Sequence, residues 1–315
     1  MPRTKSKNET VAVLGYGSQG RAIALNLRDS GYPVIIGLKS RSATRKLAAH
    51  DGLSNIATIG QAIRSASIIV FALPDHLHGR IFDKEIRKNL KDGATLVFLH
   101  GFSIHFGFIS PPENCDIIMV APHGPGLSVR QKYLSDRSLS AFYAAHQDYS
   151  GMALKKARTL AQAIGIAGNG LVKTTFEHET VGDLFGEQAI LCGGLTELVL
   201  SGFDLLVKKG IPPENAYLEV AYQLDLIIHL IKTYGIEGMY DRISVTARYG
   251  SVMSGKRIVD KGVKKNMEKL YEEIASGKFA RCLNGLSQKD ISRLRKQIKS
   301  RVAPSFEKAA LKHAK

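Results

Sequence analysis

The sequence predicts a two-domain α/β protein, with strands and helices alternating in the N-terminal part and helices alone in the C-terminal part. Three observations carry this expectation. At 315 residues the chain exceeds the length at which a single hydrophobic core stops growing. Short apolar strand patterns alternate with helical ones from Thr10 to Ile164. From Asp183 onward the period changes to long helical stretches, Asp183–Lys209, Pro213–Lys232 and, after a loop over Met239–Ser251, Gly255–Ser276. The expected division is 1–178, 179–285 and a basic tail, 286–315.

The first strand, Thr10–Gly15, runs directly into Gly15-Tyr16-Gly17-Ser18-Gln19-Gly20 and then into the helical RAIALNLRDSGY. Strand, Gly-x-Gly-x-x-Gly and helix in that order form a dinucleotide-binding unit. Gly15 permits the tight turn, Gly17 lets the backbone approach a pyrophosphate, and Gly20 lets helix and strand pack closely. Free N–H groups and the dipole at the helix start favour the phosphates. The second strand, Pro33–Gly37, is followed by Leu38-Lys39-Ser40-Arg41-Ser42. An acid here would bind the ribose 2′-hydroxyl of NADH. Lys39, Arg41 and Ser42 suit a 2′-phosphate instead, so the expected cofactor is NADPH.

A helix over Ile59–Ser65 and a strand over Ser67–Leu73 lead to Pro74-Asp75. Strands over Ala94–Leu99 and Asp116–Val120 end at His100 and at Ala121-Pro122-His123-Gly124-Pro125-Gly126. In a mostly parallel sheet, ligands bind outside the carboxyl ends of the strands. Pro74, Asp75 and Gly126 therefore join the cofactor candidates, and His100 and His123 become catalytic candidates. Phe142–Gln147 and Met152–Ile164 complete the domain, with a glycine-rich turn over Gly165–Gly170.

The stretch Thr175–Phe203 begins acidic and becomes a long apolar helix pattern. Asp183 and Glu187, four residues apart, project from one helix face. Such a pair either faces water or is bridged by a hard divalent cation such as Mg²⁺.

Composition narrows the remaining choices. The net charge is +16, and Leu286–Lys315 alone holds nine Lys/Arg against two acids. No nucleic-acid motif accompanies this charge, so nucleic acid is not expected as a partner, and the field suits an anionic cofactor and substrate. No apolar run approaches the roughly 18 residues of a membrane span, and the N-terminus passes into a strand with no secretory signal pattern. Three scattered cysteines, Cys115, Cys192 and Cys282, fit reduced thiols. The expected location is cytoplasmic.

Five motifs, GYGSQGRAIALNLRDSG, LHGFSIHFG, VAPHGPG, TTFEHETVGDLFGEQAILCGGLTELV and SVTARYG, occur in this order. The chain resembles the ketol-acid reductoisomerase family over most of Asn8–Asn284, and its compact length resembles the short class I type. The resemblance implies a Rossmann domain, a knotted all-α domain and a homodimer or higher assembly whose active sites combine two chains. It implies Mg²⁺-dependent alkyl migration and NADPH reduction of 2-acetolactate-type 2-hydroxy-3-keto acids to 2,3-dihydroxy acids, as in branched-chain amino-acid biosynthesis. Asp183 would bridge two metals, Glu187 would hold the first, and Glu219 of a partner chain, with Gln223 beside it, would serve the second. Ser244 would touch the substrate carboxylate, and His100 matches the family's site histidine.

Three positions depart from the family pattern. His123 stands in place of a lysine, Gln223 in place of an acid, and Arg248 in place of a glutamate in the substrate loop. An imidazole titrates near neutrality, and an amide offers a cation only a neutral oxygen. Arg248 could pair with a substrate carboxylate. Three readings stand on the sequence: a reductoisomerase with an altered site, a family-derived NADPH-dependent oxo- or imino-acid reductase with a weakened second metal, and a non-catalytic nucleotide-binding homologue.

Overall fold

The structure is a computed structural model that describes residues 9–137 and 139–314, apart from the side chain of Gln288. The chain divides into two compact units, one ending at Gly182 and the other beginning at Asp183.

The first unit is built on eight strands: β1 (Val11–Leu14), β2 (Val34–Gly37), β3 (Ile56–Ala57), β4 (Ile68–Phe71), β5 (Thr95–Phe98), β6 (Asp116–Pro122), β7 (Ala141–Gln147) and β8 (Leu171–Lys173). Their order across the sheet is β3-β2-β1-β4-β5-β6-β7-β8. All neighbours pair in parallel except β6 and β7. The expected strands are present, with ends shifted by one or two residues, while β3 and β8 are too short to announce themselves in the sequence. Connecting helices are α1 (Ser18–Asp29), α2 (Thr44–His50), α3 (Ile59–Ser65), α4 (His78–Ile81), α5 (Phe102–His105), α6 (Gly126–Leu134) and α7 (Ala153–Ala163). α3 starts where expected because Thr58 and Gln61 form a capping box.

Both sheet faces are covered, which explains strands that are apolar throughout. Successive residues of β1 separate to opposite cores, Val11 and Val13 to one, Ala12 and Leu14 to the other. The second core stacks Phe71 on Phe98 with centroids 4.5 Å apart. The order reverses at β1, which lies between β2 and β4. The crevice at this switch point is where such sheets bind ligands.

α8 (Phe176–Phe185) carries the chain across the division at Gly182. The second unit continues with α9 (Gly193–Lys208), α10 (Pro213–Tyr217), α11 (Leu224–Tyr240), α12 (Val245–Ile258), α13 (Lys261–Ala275), α14 (Lys278–Asn284), α15 (Gln288–Arg301) and α16 (Pro304–His313). The expected loop over Met239–Ser251 is corrected in part: Val245 onward is helical. Ser244 caps α12 by accepting from Ala247 N at 3.1 Å, a signal masked by Gly250 and the β-branched Val245 and Thr246. The expected single helix Gly255–Ser276 is broken by Asp260, which caps α13 through Val263 N at 2.9 Å. The basic stretch after Asn284 forms two helices. Phe306 of α16 packs edge-on against Phe203 and Tyr217, with ring centroids 5.0 and 5.3 Å apart.

One expectation about length also needs correcting. The continuous helical stretch Phe176–Lys208 has 33 residues and contains an 18-residue window of mean hydropathy 1.7, only 6% of it buried. Its glycines interrupt the apolar pattern without making the helix polar. Length and composition alone place it in the range of a membrane span.

Candidate functional site

The nucleotide edge of the first unit is assembled by glycines. Gly15 has φ +98°, and a Cβ there would lie 2.5 Å from Ala72 O, so the loops after β1 and β4 touch. A Cβ on Gly20 would lie 2.6 Å from Gly15 O, whereas Gly17 faces open space. That is the pattern expected of a loop that packs at its ends and approaches a phosphate in its middle. Gly126 opens α6 so close to Ser18 that a Cβ would sit 2.0 Å from Ser18 O.

The Tyr16 side chain is turned into the protein. Its hydroxyl donates to Asp51 Oδ2 at 2.8 Å, and Arg21 grips the same carboxylate through Nε and Nη2 at 2.7 and 2.8 Å. Burial and the Asp51 hydrogen bond push the Tyr16 phenol above its ordinary value, and the Arg21 hydrogen bond holds Asp51 below the usual carboxylate range. Tyr16 therefore offers a cofactor its backbone and anchors the glycine loop with its side chain. Gln19 donates from Nε2 to Gly124 O at 2.8 Å, while its buried Oε1 has no hydrogen-bond partner among the described residues. An orphaned acceptor beside the glycine loop and the open space at Gly17 fit a bound dinucleotide.

After β2, Lys39 and Arg41 are exposed, and Ser42 Oγ pairs with Thr44 Oγ1 at 2.8 Å. Pro74 is exposed and Asp75 half-buried in the loop after β4. His100 follows β5. Its Nδ1 lies 2.9 Å from Glu179 Oε1, and the other oxygen of that carboxylate accepts from Gly101 N at 2.8 Å. Glu179 is 4% exposed at its side chain, so this pair is held away from solvent. His123, following β6, is exposed. Its Nδ1 meets Ser140 Oγ at 2.9 Å and its ring stands edge-on to Phe142.

In the second unit Asp183 and Glu187 are exposed, and α8 does not continue as an α-helix to reach them both. Gly186–Leu191, which contains Glu187, is a π-helical turn. A Cβ on Gly193 or Gly194 would lie 2.1 or 2.0 Å from the carbonyl five residues earlier, so this glycine pair is what lets the widened turn close. Glu219 likewise lies in a π-turn, Leu218–Tyr222. Single π-turns within helices are frequent at functional sites. Gln223 donates to Glu219 Oε2 at 3.1 Å. Ser244 caps α12, and Arg248 Nε donates to Tyr240 O at 2.8 Å. The exposed carboxylates Asp183, Glu187 and Glu219 are the hard oxygen donors that Mg²⁺ takes, with room for water.

The sequence reading passed over Glu179, Asp51 and Ser140. Glu179 carried a signal, since 179, 183 and 187 repeat at the helical spacing of four. Asp51 and Ser140 carried none. A separate cavity of about 600 Å³ in the first unit is lined by His105, His146, Lys173 and Phe176 among others, and none of the expected site residues lines it.

Comparison with known proteins gives two family matches in succession along the chain. The family "Acetohydroxy acid isomeroreductase, NADPH-binding domain" matches residues 5–170, and "Ketol-acid reductoisomerase, C-terminal domain" matches residues 176–311. A ketol-acid reductoisomerase (NADP(+)) of Pyrobaculum aerophilum is 47% identical over 275 residues, covering 87% of this chain and 84% of the relative. One from Tropheryma whipplei is 47% identical over 274 residues, with coverages of 87% and 82%. Among solved structures, an NADH-preferring ketol-acid reductoisomerase from an uncultured archean superposes with a TM-score of 0.91 at 36% identity, over 96% of this chain and 93% of that one.

Proposed function

This chain belongs to the ketol-acid reductoisomerase family, and from that premise we propose that it converts 2-acetolactate-type 2-hydroxy-3-keto acids to 2,3-dihydroxy acids with Mg²⁺ and NADPH. The observation that carries this reading is the placement of Asp183 and Glu187 across an α-to-π transition whose closure requires Gly193 and Gly194. When bound, the metal supplies Lewis acidity at the substrate oxygens, and the nicotinamide supplies hydride.

The chain's own residues do the rest. Backbone N–H groups at the start of α1 bind the pyrophosphate, with Gly15, Tyr16, Gly17, Ser18, Gln19 and Gly20 shaping the approach and Pro74, Asp75 and Gly126 bordering it. Lys39, Arg41 and Ser42 take the 2′-phosphate. The curated relatives above are NADP(+) enzymes and the solved one prefers NADH, so cofactor choice rests on local residues, and this loop has cations where an acid would serve NADH. Glu179 orients His100, leaving Nε2 to handle a proton. His123, tethered through Nδ1 by Ser140, likewise presents Nε2. The Ser244 hydroxyl, which accepts from Ala247, keeps its own proton to donate to a substrate carboxylate, and the Arg248 Nη groups stand on the same turn of α12.

Asp183 and Glu187 would hold the first metal, and Asp183 with Glu219 from a partner chain would serve the second, which makes the proposed active protein a homodimer or larger, working in the cytoplasm on a small keto acid. Gln223 supports a second reading, in which the migration step is weakened and reduction of a 2-oxo acid is retained. Its amide is already donated to Glu219, and it brings no charge to offset the dehydration of Mg²⁺. Turnover of 2-acetolactate and of a simple 2-keto acid across a Mg²⁺ titration separates the two. The first reading expects 2-acetolactate turnover at millimolar Mg²⁺ or below, and its loss there with retained 2-keto acid reduction favours the second. Under the second reading, Gln223→Glu together with His123→Lys and Arg248→Glu restores migration.

A further inference from the structure

We propose that His78 is a positioning residue that sets the spacing between the glycine-loop edge and the His100–Glu179 pair. The proposal rests on the cofactor reading above. His78 opens α4 and its side chain is 3% exposed. Its Nε2 lies 2.8 Å from Leu73 O and its Nδ1 lies 2.9 Å from Ser103 Oγ. A carbonyl only accepts, so Nε2 carries the proton, and the Nδ1 lone pair takes the Ser103 hydroxyl proton.

Each partner belongs to a different side of the site. Leu73 follows Ala72, against whose carbonyl Gly15 is pressed, and a Cβ on Gly15 would also meet Leu73 Cδ2 at 3.3 Å. Ser103 is fully buried in α5, two residues beyond Gly101, whose N–H donates to the Glu179 carboxylate that holds His100. The imidazole therefore joins the two loops by hydrogen bonds of fixed length. It stands edge-on to Phe71 and Phe98 at the carboxyl ends of β4 and β5, with centroids 5.5 and 6.3 Å away. α4 packs closely on the segment after α5, because a Cβ on Gly79 would lie 2.6 Å from Phe108 O.

The geometry also defines what protonation does. The charged and titratable groups facing the ring are Asp75, with Oδ1 3.7 Å from Nδ1, His76 and His100. Burial outweighs the attraction of Asp75 and lowers the imidazole below its ordinary value, so the ring is neutral at neutral pH. A proton on Nδ1 in acid would remove the acceptor from Ser103, and the Leu73–Ser103 link would be cut from one end.

The test compares His78→Leu, His78→Gln and Ser103→Ala in the full-length protein. NADPH affinity is read by nicotinamide fluorescence, with kcat, KM for NADPH and thermal midpoint alongside. His78→Leu should weaken NADPH binding and lower kcat, each about ten-fold, as loss of two buried hydrogen bonds implies. Glutamine can donate to Leu73 O and accept from Ser103, so His78→Gln should recover NADPH affinity to within about three-fold and lose the acid-side fall in affinity expected of the native protein. Ser103→Ala should lie between them. Folded His78→Leu or Ser103→Ala protein with native NADPH affinity overturns the proposal, as does equal impairment of His78→Leu and His78→Gln. If His78→Leu does not fold, the other two variants decide. Failure of the native protein to turn over 2-acetolactate would count against the proposed reaction and leave the binding comparison intact.

Discussion

The two units place their apolar residues in opposite ways. In the first, β1, β4 and β5 are buried along their whole length, and two cores occupy the two faces of one sheet. In the second, Leu198 and Leu205 of α9, Leu226, Ile228 and Ile236 of α11 and Val252 of α12 are between 43% and 61% exposed. The buried side chains there are few, Phe203, Ala216 and Ile274 among them. A sheet covered by its own helices finishes its core within one chain, and helices that leave this much apolar surface in water do not. The first unit therefore has a finished core, and the second leaves open the apolar surface that the homodimer proposed above would cover.

The most severe way to break this contrast is to charge the exposed helices. If the proposed homodimer buries these helices, Leu198→Glu with Leu226→Glu should convert it to monomer and lower turnover about 100-fold or more, because burying an unpaired carboxylate costs several kcal/mol. NADPH binding should remain within about three-fold of the native value. Sedimentation and nicotinamide fluorescence check the two halves of this expectation, and an unchanged assembly would remove the contrast.

Next in size is a change inside the first unit. Asp116 is fully buried and accepts from Lys156 Nζ at 2.7 Å and from Ser150 N and Oγ at 2.9 and 2.7 Å. Asp116→Ala leaves the Lys156 ammonium without its buried partner and should cost about 3 kcal/mol, read from the urea midpoint of unfolding. Burial pushes the Asp116 carboxyl up, but the hydrogen bonds from Lys156 and Ser150 prevail and hold it below the ordinary range. The unfolded chain then binds more protons in acid. This stabilisation is complete above the ordinary aspartate value and is lost as the pH falls through the lower, folded one. Asp116→Asn should flatten that acid limb.

A smaller effect is expected at Glu179. Glu179→Gln keeps the shape and removes the charge that orients His100, and should lower kcat about ten-fold or more with little change in NADPH affinity. Steady-state kinetics and fluorescence check it, and a loss confined to NADPH affinity would reassign Glu179 to the cofactor. The mildest change is Arg41→Asp, which should weaken NADPH about ten-fold more than NADH and leave assembly untouched. Equal affinity of the native protein for both cofactors would exclude the 2′-phosphate role of this loop.

Much of this contrast was legible in the chain itself, for reasons that are local. Strand β1, the glycine loop and α1 follow from a short continuous apolar run, from the backbone conformation that only Gly15 adopts freely, and from the absence of a Cβ at Gly20. The exposed acids Asp183 and Glu187 were legible as a pair from their spacing of four, although the turn that carries Glu187 is π-helical and not the regular helix expected. Tertiary structure alone decided the rest. Glu179 reaches His100 across 79 residues, Asp51 takes the Tyr16 hydroxyl across 35, and Ser140 steadies His123 across 17. No periodicity encodes such pairs, because they depend on which strand ends the sheet order brings together. The π-turns at Glu187 and Glu219 escaped for a different reason: widening a helix by one residue leaves its composition unchanged, and at Glu187 only the close approach of Gly193 and Gly194 to the carbonyls five residues earlier marks the turn. The apolar pattern of α9 and α11 marked them as helices, but whether a helix faces a core or an open surface is set by its neighbours in space and not by its own residues.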